Sequence, residues 1–85
     1  MDDENKETVV LGVISRGISK FDKISRESNV EPKDLELILQ KLENSRLIKV
    51  NEKKSWTGTK IEINPTEKGY KEFERQLKIL QEKWN

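Results

Sequence analysis

Residues 19–50, SKFDKISRESNVEPKDLELILQKLENSRLIKV, decide the fold, together with KIEIN at 60–64 and PTEKG at 65–69. The pivot is Asn29-Val30-Glu31-Pro32. Proline is tolerated at the first position of a helix, where its missing N–H would have no partner anyway. It also biases Glu31 toward extended backbone, so the preceding helix must end first. Downstream, Leu35, Ile38, Leu39 and Leu42 fall on one side of a helical wheel, and Lys33, Leu37, Gln40, Lys41 and Asn44 fall on the other. Upstream, Ser19 with Asp22 three residues on reads as a capping-box-like start for a short helix ending near residue 28. Phe21 and Ile24 face inward in that helix, and Lys20, Lys23 and Arg26 face solvent.

After the second helix, residues 47–50 form a short apolar strand, and residues 60–64 alternate as its partner, with Ile61 and Ile63 on one face and Glu62 on the other. Residues 51–59 lie between them as a polar loop. Pro65 stops the second strand, and Thr66 caps a last helix over residues 67–84. Ahead of the motif, a first helix over residues 4–16 carries Val9, Leu11, Val13 and Ile14 too densely for a narrow stripe, which suits a helix buried between neighbours, and Gly17 ends it. Helix-turn-helix, β-hairpin, closing helix: this order predicts an α+β winged helix-turn-helix with three helices, a two-stranded wing and a longer C-terminal helix. At 85 residues the chain reads as a single domain spanning 1–85.

The net charge of +1 hides an uneven distribution. In residues 15–26, Arg16, Lys20, Lys23 and Arg26 stand against Asp22, for +3; in residues 46–60, Arg46, Lys49, Lys53, Lys54 and Lys60 stand against Glu52, for +4. A winged helix meets phosphate at these two segments. With no His and no Cys, the usual neutral-pH base, activated nucleophile and zinc ligands are all missing, and no phosphate-binding glycine motif is present. The reading is a non-enzyme with no metal and no cofactor. A Lys/Glu-rich chain without Cys is compatible with a thermophile. The longest apolar run is too short to span a bilayer and the first residues are acidic, so a soluble, cytoplasmic protein with no membrane partner is expected.

The spaced residues Phe21, Ile24, Ser28, Val30, Leu35, Ile38, Leu39, Leu42, Leu47 and Ile48, followed by Thr66-Glu67-Lys68-Gly69-Tyr70, resemble the small winged-helix transcriptional regulators common in archaea and related to the MarR and PadR groups. The resemblance implies double-stranded DNA as partner. Lys33, Leu37, Gln40, Lys41 and Asn44 would face base edges or phosphates, and Lys53, Lys54, Trp56 and Lys60 would lie on the wing. Two features depart from that pattern. Asp34, Glu36 and Glu43 make the recognition helix net acidic, which repels phosphate, and Arg46 stands where the family closes that helix with Gly, which implies a different cap.

Two further readings come from the residues themselves. Tyr70, Phe73, Leu77, Leu80 and Trp84 recur at steps of 3, 4, 3 and 4, a heptad seam that either covers the domain's own core or joins a homodimer. Leu37, outward on an acidic helix, also fits a module that docks a protein partner as the accessory subunit of a nucleic-acid machine.

Overall fold

The computed structural model describes the backbone of residues 3–84 and the side chains of residues 6–82. The element order is α1 (Asp3–Ser15), α2 (Phe21–Ser28), α3 (Pro32–Asn44), β1 (Ile48–Ser55), β2 (Gly58–Pro65) and α4 (Glu67–Trp84).

Helix α1 is the hub. Val10, Leu11, Val13 and Ile14 are all buried, and the helix packs against α2, α3, α4 and β2. Burial on so many sides accounts for the dense apolar sequence of residues 10–14, while Val9, expected within that buried run, is exposed. Gly12 explains how α4 comes so close: a Cβ there would sit 2.8 Å from the Phe73 ring. At the end of α1, Gly17 takes φ +98° and donates its N–H to the Ile14 carbonyl.

Helix α2 starts later than the capping-box reading expects. Lys20 is its N-cap and makes no side-chain cap bond. Ser19 is used differently: its carbonyl accepts the Ile63 N–H at 2.9 Å, which ties the α1–α2 connection to β2. At the other end Asn29 turns left-handed at φ 55°, and Val30 donates to the Ser25 carbonyl. Asparagine tolerates this conformation better than most residues.

Pro32 opens α3 as expected, with Glu31 extended at φ −62°, ψ 148°. Leu35, Ile38, Leu39 and Leu42 are buried together with Ile24, Val30, Ile48 and Ile63. Closure of α3 corrects the expectation for Arg46. Arg46 adopts φ 62° and donates to the Glu43 carbonyl, and Leu47 donates to the Leu42 carbonyl, each at 2.9 Å. This is a complete Schellman cap, the one glycine usually makes, carried here by arginine.

The hairpin also differs from expectation. Residues 51–55 and 58–59 continue the strands, and only Trp56 and Thr57 turn the chain. The register pairs Val50 with Ile63, Glu52 with Ile61, Lys53 with Lys60, and Ser55 with Gly58. The alternating pattern fades after Val50 because both faces of the outer hairpin are exposed, so no burial requirement imprints a period of two on the sequence.

Thr66 caps α4 as expected, accepting the Gly69 N–H at 3.0 Å. Its hydroxyl donates to the Arg46 carbonyl at 2.7 Å, its N–H donates to the Leu47 carbonyl, and Lys68 donates to the Ser45 carbonyl at 3.1 Å. The TEKG step thereby clasps the corner that closes α3.

Candidate nucleic-acid interface

Helix α3 presents Lys33, Leu37, Gln40 and Asn44 as its outermost row, all exposed. Leu37 is 61% exposed. Lys41 is turned aside from this row. Its Nζ lies 3.3 Å from the Glu7 carboxylate of α1, while Lys6 of α1 reaches Asp34 of α3 at 3.4 Å. These crossed pairs bridge a groove of about 260 Å³ lined by Leu37, Ile38, Gln40 and Asn44. The two pairs cancel in their effect on the charge of α3: Lys6 offsets the Asp34 carboxylate, and Glu7 offsets the Lys41 amine. Among the described residues, Glu36 and Glu43, on the flank that looks toward the hairpin, are the α3 carboxylates that make no ion pair.

Antiparallel pairing sorts the wing cations into two groups. Lys53 and Lys60 stand directly opposite each other, and Lys49 shares their face two pairs down. Lys54, paired with Thr59, projects from the other face, the one that carries Val50, Glu52, Ile61 and Ile63. Trp56 stands at the tip, 98% exposed. Lys49 belongs to the basic segment 46–60 but not to the wing residues named from the sequence; carrying the strand alternation past Val50 to Lys53 puts the two lysines on one face.

In α4, Phe73 packs against the core beside Gly12, whereas Tyr70, Leu77 and Leu80 are exposed, and so is Ile79, which lies off the heptad seam. Trp84 ends α4, and its side chain lies outside the described residues. Gln76 accepts the Thr8 hydroxyl at 2.8 Å and donates to Glu72, which also receives Arg75. The Arg75 hydrogen bonds and charge hold the Glu72 carboxyl below its ordinary range, more than offsetting desolvation.

No protein-family model matches the chain, and no curated protein matches it. Solved structures do. A PadR family transcription regulator from hypervirulent Clostridium difficile R20291 superposes with a TM-score of 0.79 at 16% identity, over 89% of this chain and 86% of that one. The smu.1704 structure from Streptococcus mutans UA159 gives 0.81 at 19% identity, over 94% and 79%. YusO of Bacillus subtilis gives 0.70 at 21% identity, over 93% of this chain but 58% of its own. The fold is a winged helix. At these identities the likeness establishes architecture: a four-helix α+β domain in which α2 and α3 form the helix-turn-helix and β1–β2 the wing. Among the described residues no helix is long and apolar enough to cross a membrane.

Proposed function

We propose that this chain is a DNA-binding transcriptional regulator that contacts duplex DNA through α3 and the wing, without chemistry. The observation that carries the reading is the hairpin tip: Lys53 and Lys60 on one face, Lys54 on the other, and a fully exposed Trp56 between them. A ribbon laid in a groove meets a phosphate strand on each side, so cations on both faces are an asset there. An exposed indole adds a flat surface for a sugar or base. Lys33, Gln40 and Asn44 on α3 supply donors and acceptors for base edges, and Leu37 an apolar contact for a thymine methyl. That one solved structure of the same fold is a PadR family transcription regulator supports the same class.

The test is charge reversal. The double variant Lys53→Glu, Lys60→Glu should lower affinity for random-sequence duplex DNA by at least about tenfold at low salt and flatten the salt dependence by roughly 0.9 per lost phosphate contact. Unchanged affinity would remove the wing from the interface.

Homodimerisation through α4 belongs to the same proposal. Tyr70, Leu77 and Leu80 continue the seam where the domain's own core has ended, and an unpaired apolar stripe on a helix of 18 residues favours a second copy. Light scattering at micromolar concentration should give twice the chain mass of 10.0 kDa, and Leu77→Asp with Leu80→Asp should return the monomer.

A protein-docking module is the second reading, supported by the exposure of Leu37 at the middle of the outer row. A folded Leu37→Asp variant that loses DNA binding places Leu37 on the DNA surface; one that binds DNA like the parent places it elsewhere.

A further inference from the structure

Between α3 and the hairpin lies a second groove, of about 430 Å³, whose lining differs from the surfaces above. Its floor is apolar: Phe21, Leu39, Val50, Ile61 and Ile63. Ile61 is 50% exposed, an unusual position for an isoleucine on the inward face of a strand, and Phe21 and Val50 are only partly buried. The rim is acidic. Glu36 and Glu43 line the groove from α3, Gln40 stands between them, and no cation is among the lining residues. Seven residues apart on one helix, the two carboxylates are separated by about 10 Å along its axis. Glu52, paired directly with Ile61, adds a third carboxylate on the same hairpin face, and Lys54, paired with Thr59 one same-face step further toward the tip, lies beyond the groove lining. Among the described residues, none of the three carboxylates makes an ion pair.

A DNA strand running along this groove would meet carboxylates where it needs cations. We infer that the groove between α3 and the wing is a docking site for a basic peptide segment of a partner protein, one that seats a large apolar side chain on Ile61, Val50 and Phe21 and aims Lys or Arg at Glu36 and Glu43. Charge complementarity selects the occupant: an exposed apolar floor draws an apolar anchor, and the acidic rim rejects acidic segments and steers basic ones. Such a segment lies beside the DNA-reading row of α3, so occupancy of the groove and binding of duplex DNA exclude one another. Docking itself does not depend on the DNA reading.

The experiment is selection from a random 12-residue peptide library displayed on phage, against the full chain, followed by anisotropy titration of the enriched peptides as synthetic fluorescein conjugates. The enriched sequences should carry two or more Lys or Arg around one or two large apolar residues. They should bind the parent at least tenfold more tightly than the Glu36→Lys, Glu43→Lys variant, and more tightly than Ile61→Ser. Both Glu positions are exposed, so a matching circular dichroism spectrum and melting curve will confirm that the charge variant folds. The Glu36→Gln, Glu43→Gln pair, which removes charge without reversing it, should give an intermediate loss. Enrichment without a basic bias, equal binding to the charge variants, or no enrichment overturns the inference. If instead the Gln pair only tightens duplex DNA binding and no peptide is selected, the groove belongs to the DNA surface. Loss of DNA binding in the wing variants, with peptide binding intact, tests the proposed function separately.

Discussion

Lys41 and Glu7 face each other across the α1–α3 groove at 3.3 Å, so a cation that the helical wheel assigns to the DNA surface is partly neutralised by the neighbouring helix. The partnership is solvent-exposed, with two thirds of the Lys41 side chain accessible, so it holds the amine with little energy. Glu7→Gln should therefore release Lys41 toward DNA. Affinity for random duplex DNA should rise two- to fivefold at low salt and the salt slope should steepen by up to roughly 0.9, measured by anisotropy at several salt concentrations. A change in the opposite direction would mean that the pair orients Lys41 for contact.

Gly69 should tolerate no side chain. A Cβ there would lie 2.0 Å from the Leu47 carbonyl oxygen, and that oxygen is backbone, already bonded to the Thr66 N–H. Neither partner can rotate away, so the corner between α3 and α4 must open. Gly69→Ala should cost about 3 kcal/mol in urea unfolding, the scale of severe overpacking.

Arg46 should be improvable. A non-glycine residue at φ 62° carries a left-handed penalty of about 1 kcal/mol, which glycine does not. The Arg46 carbonyl accepts the Thr66 hydroxyl, and that bond is backbone-based and survives substitution. Arg46→Gly should then raise stability by up to about 1 kcal/mol and raise the melting temperature by several degrees. A lower melting temperature would show that the guanidinium stabilises the corner in some other way.

Acid should weaken α4 through Glu72. Hydrogen bonding to Arg75 holds its folded pKa below the ordinary glutamate value of about 4.5. A carboxyl with a depressed folded pKa contributes stability that is present above its unfolded value and is lost as pH falls through the folded one. The parent should thus melt higher than Glu72→Gln at pH 7, by an amount worth less than about 1 kcal/mol, and the gap should close as pH falls below 4.5.

Most of the architecture was legible because burial leaves a period in the sequence. Leu35, Ile38, Leu39 and Leu42 spell the inward face of α3, and Pro32 and Thr66 mark two helix starts that the structure keeps. Where burial stops, legibility stops too. The outer hairpin is exposed on both faces, so its strands looked like loop, and the division of Lys53 and Lys60 from Lys54 emerged only from the register. Ser19 failed as a cap because its carbonyl serves Ile63, a partner more than forty residues away that no local pattern announces. The Lys41–Glu7 pair and the acidic groove are likewise products of long-range packing: the sequence shows Glu36 and Glu43 only as acidity on the recognition helix, and the fold sets them beside the apolar Ile61.

The most direct measurement is titration of random-sequence duplex DNA into the protein at low and at moderate salt. DNA anisotropy and tryptophan fluorescence should be followed together, in a Trp84→Phe background that leaves Trp56 as the only indole. Binding that quenches or shifts Trp56 emission, and weakens steeply with salt, is the expected result. No binding even at low salt, or binding that leaves both Trp56 emission and salt dependence flat, would contradict a DNA interface built from α3 and the wing.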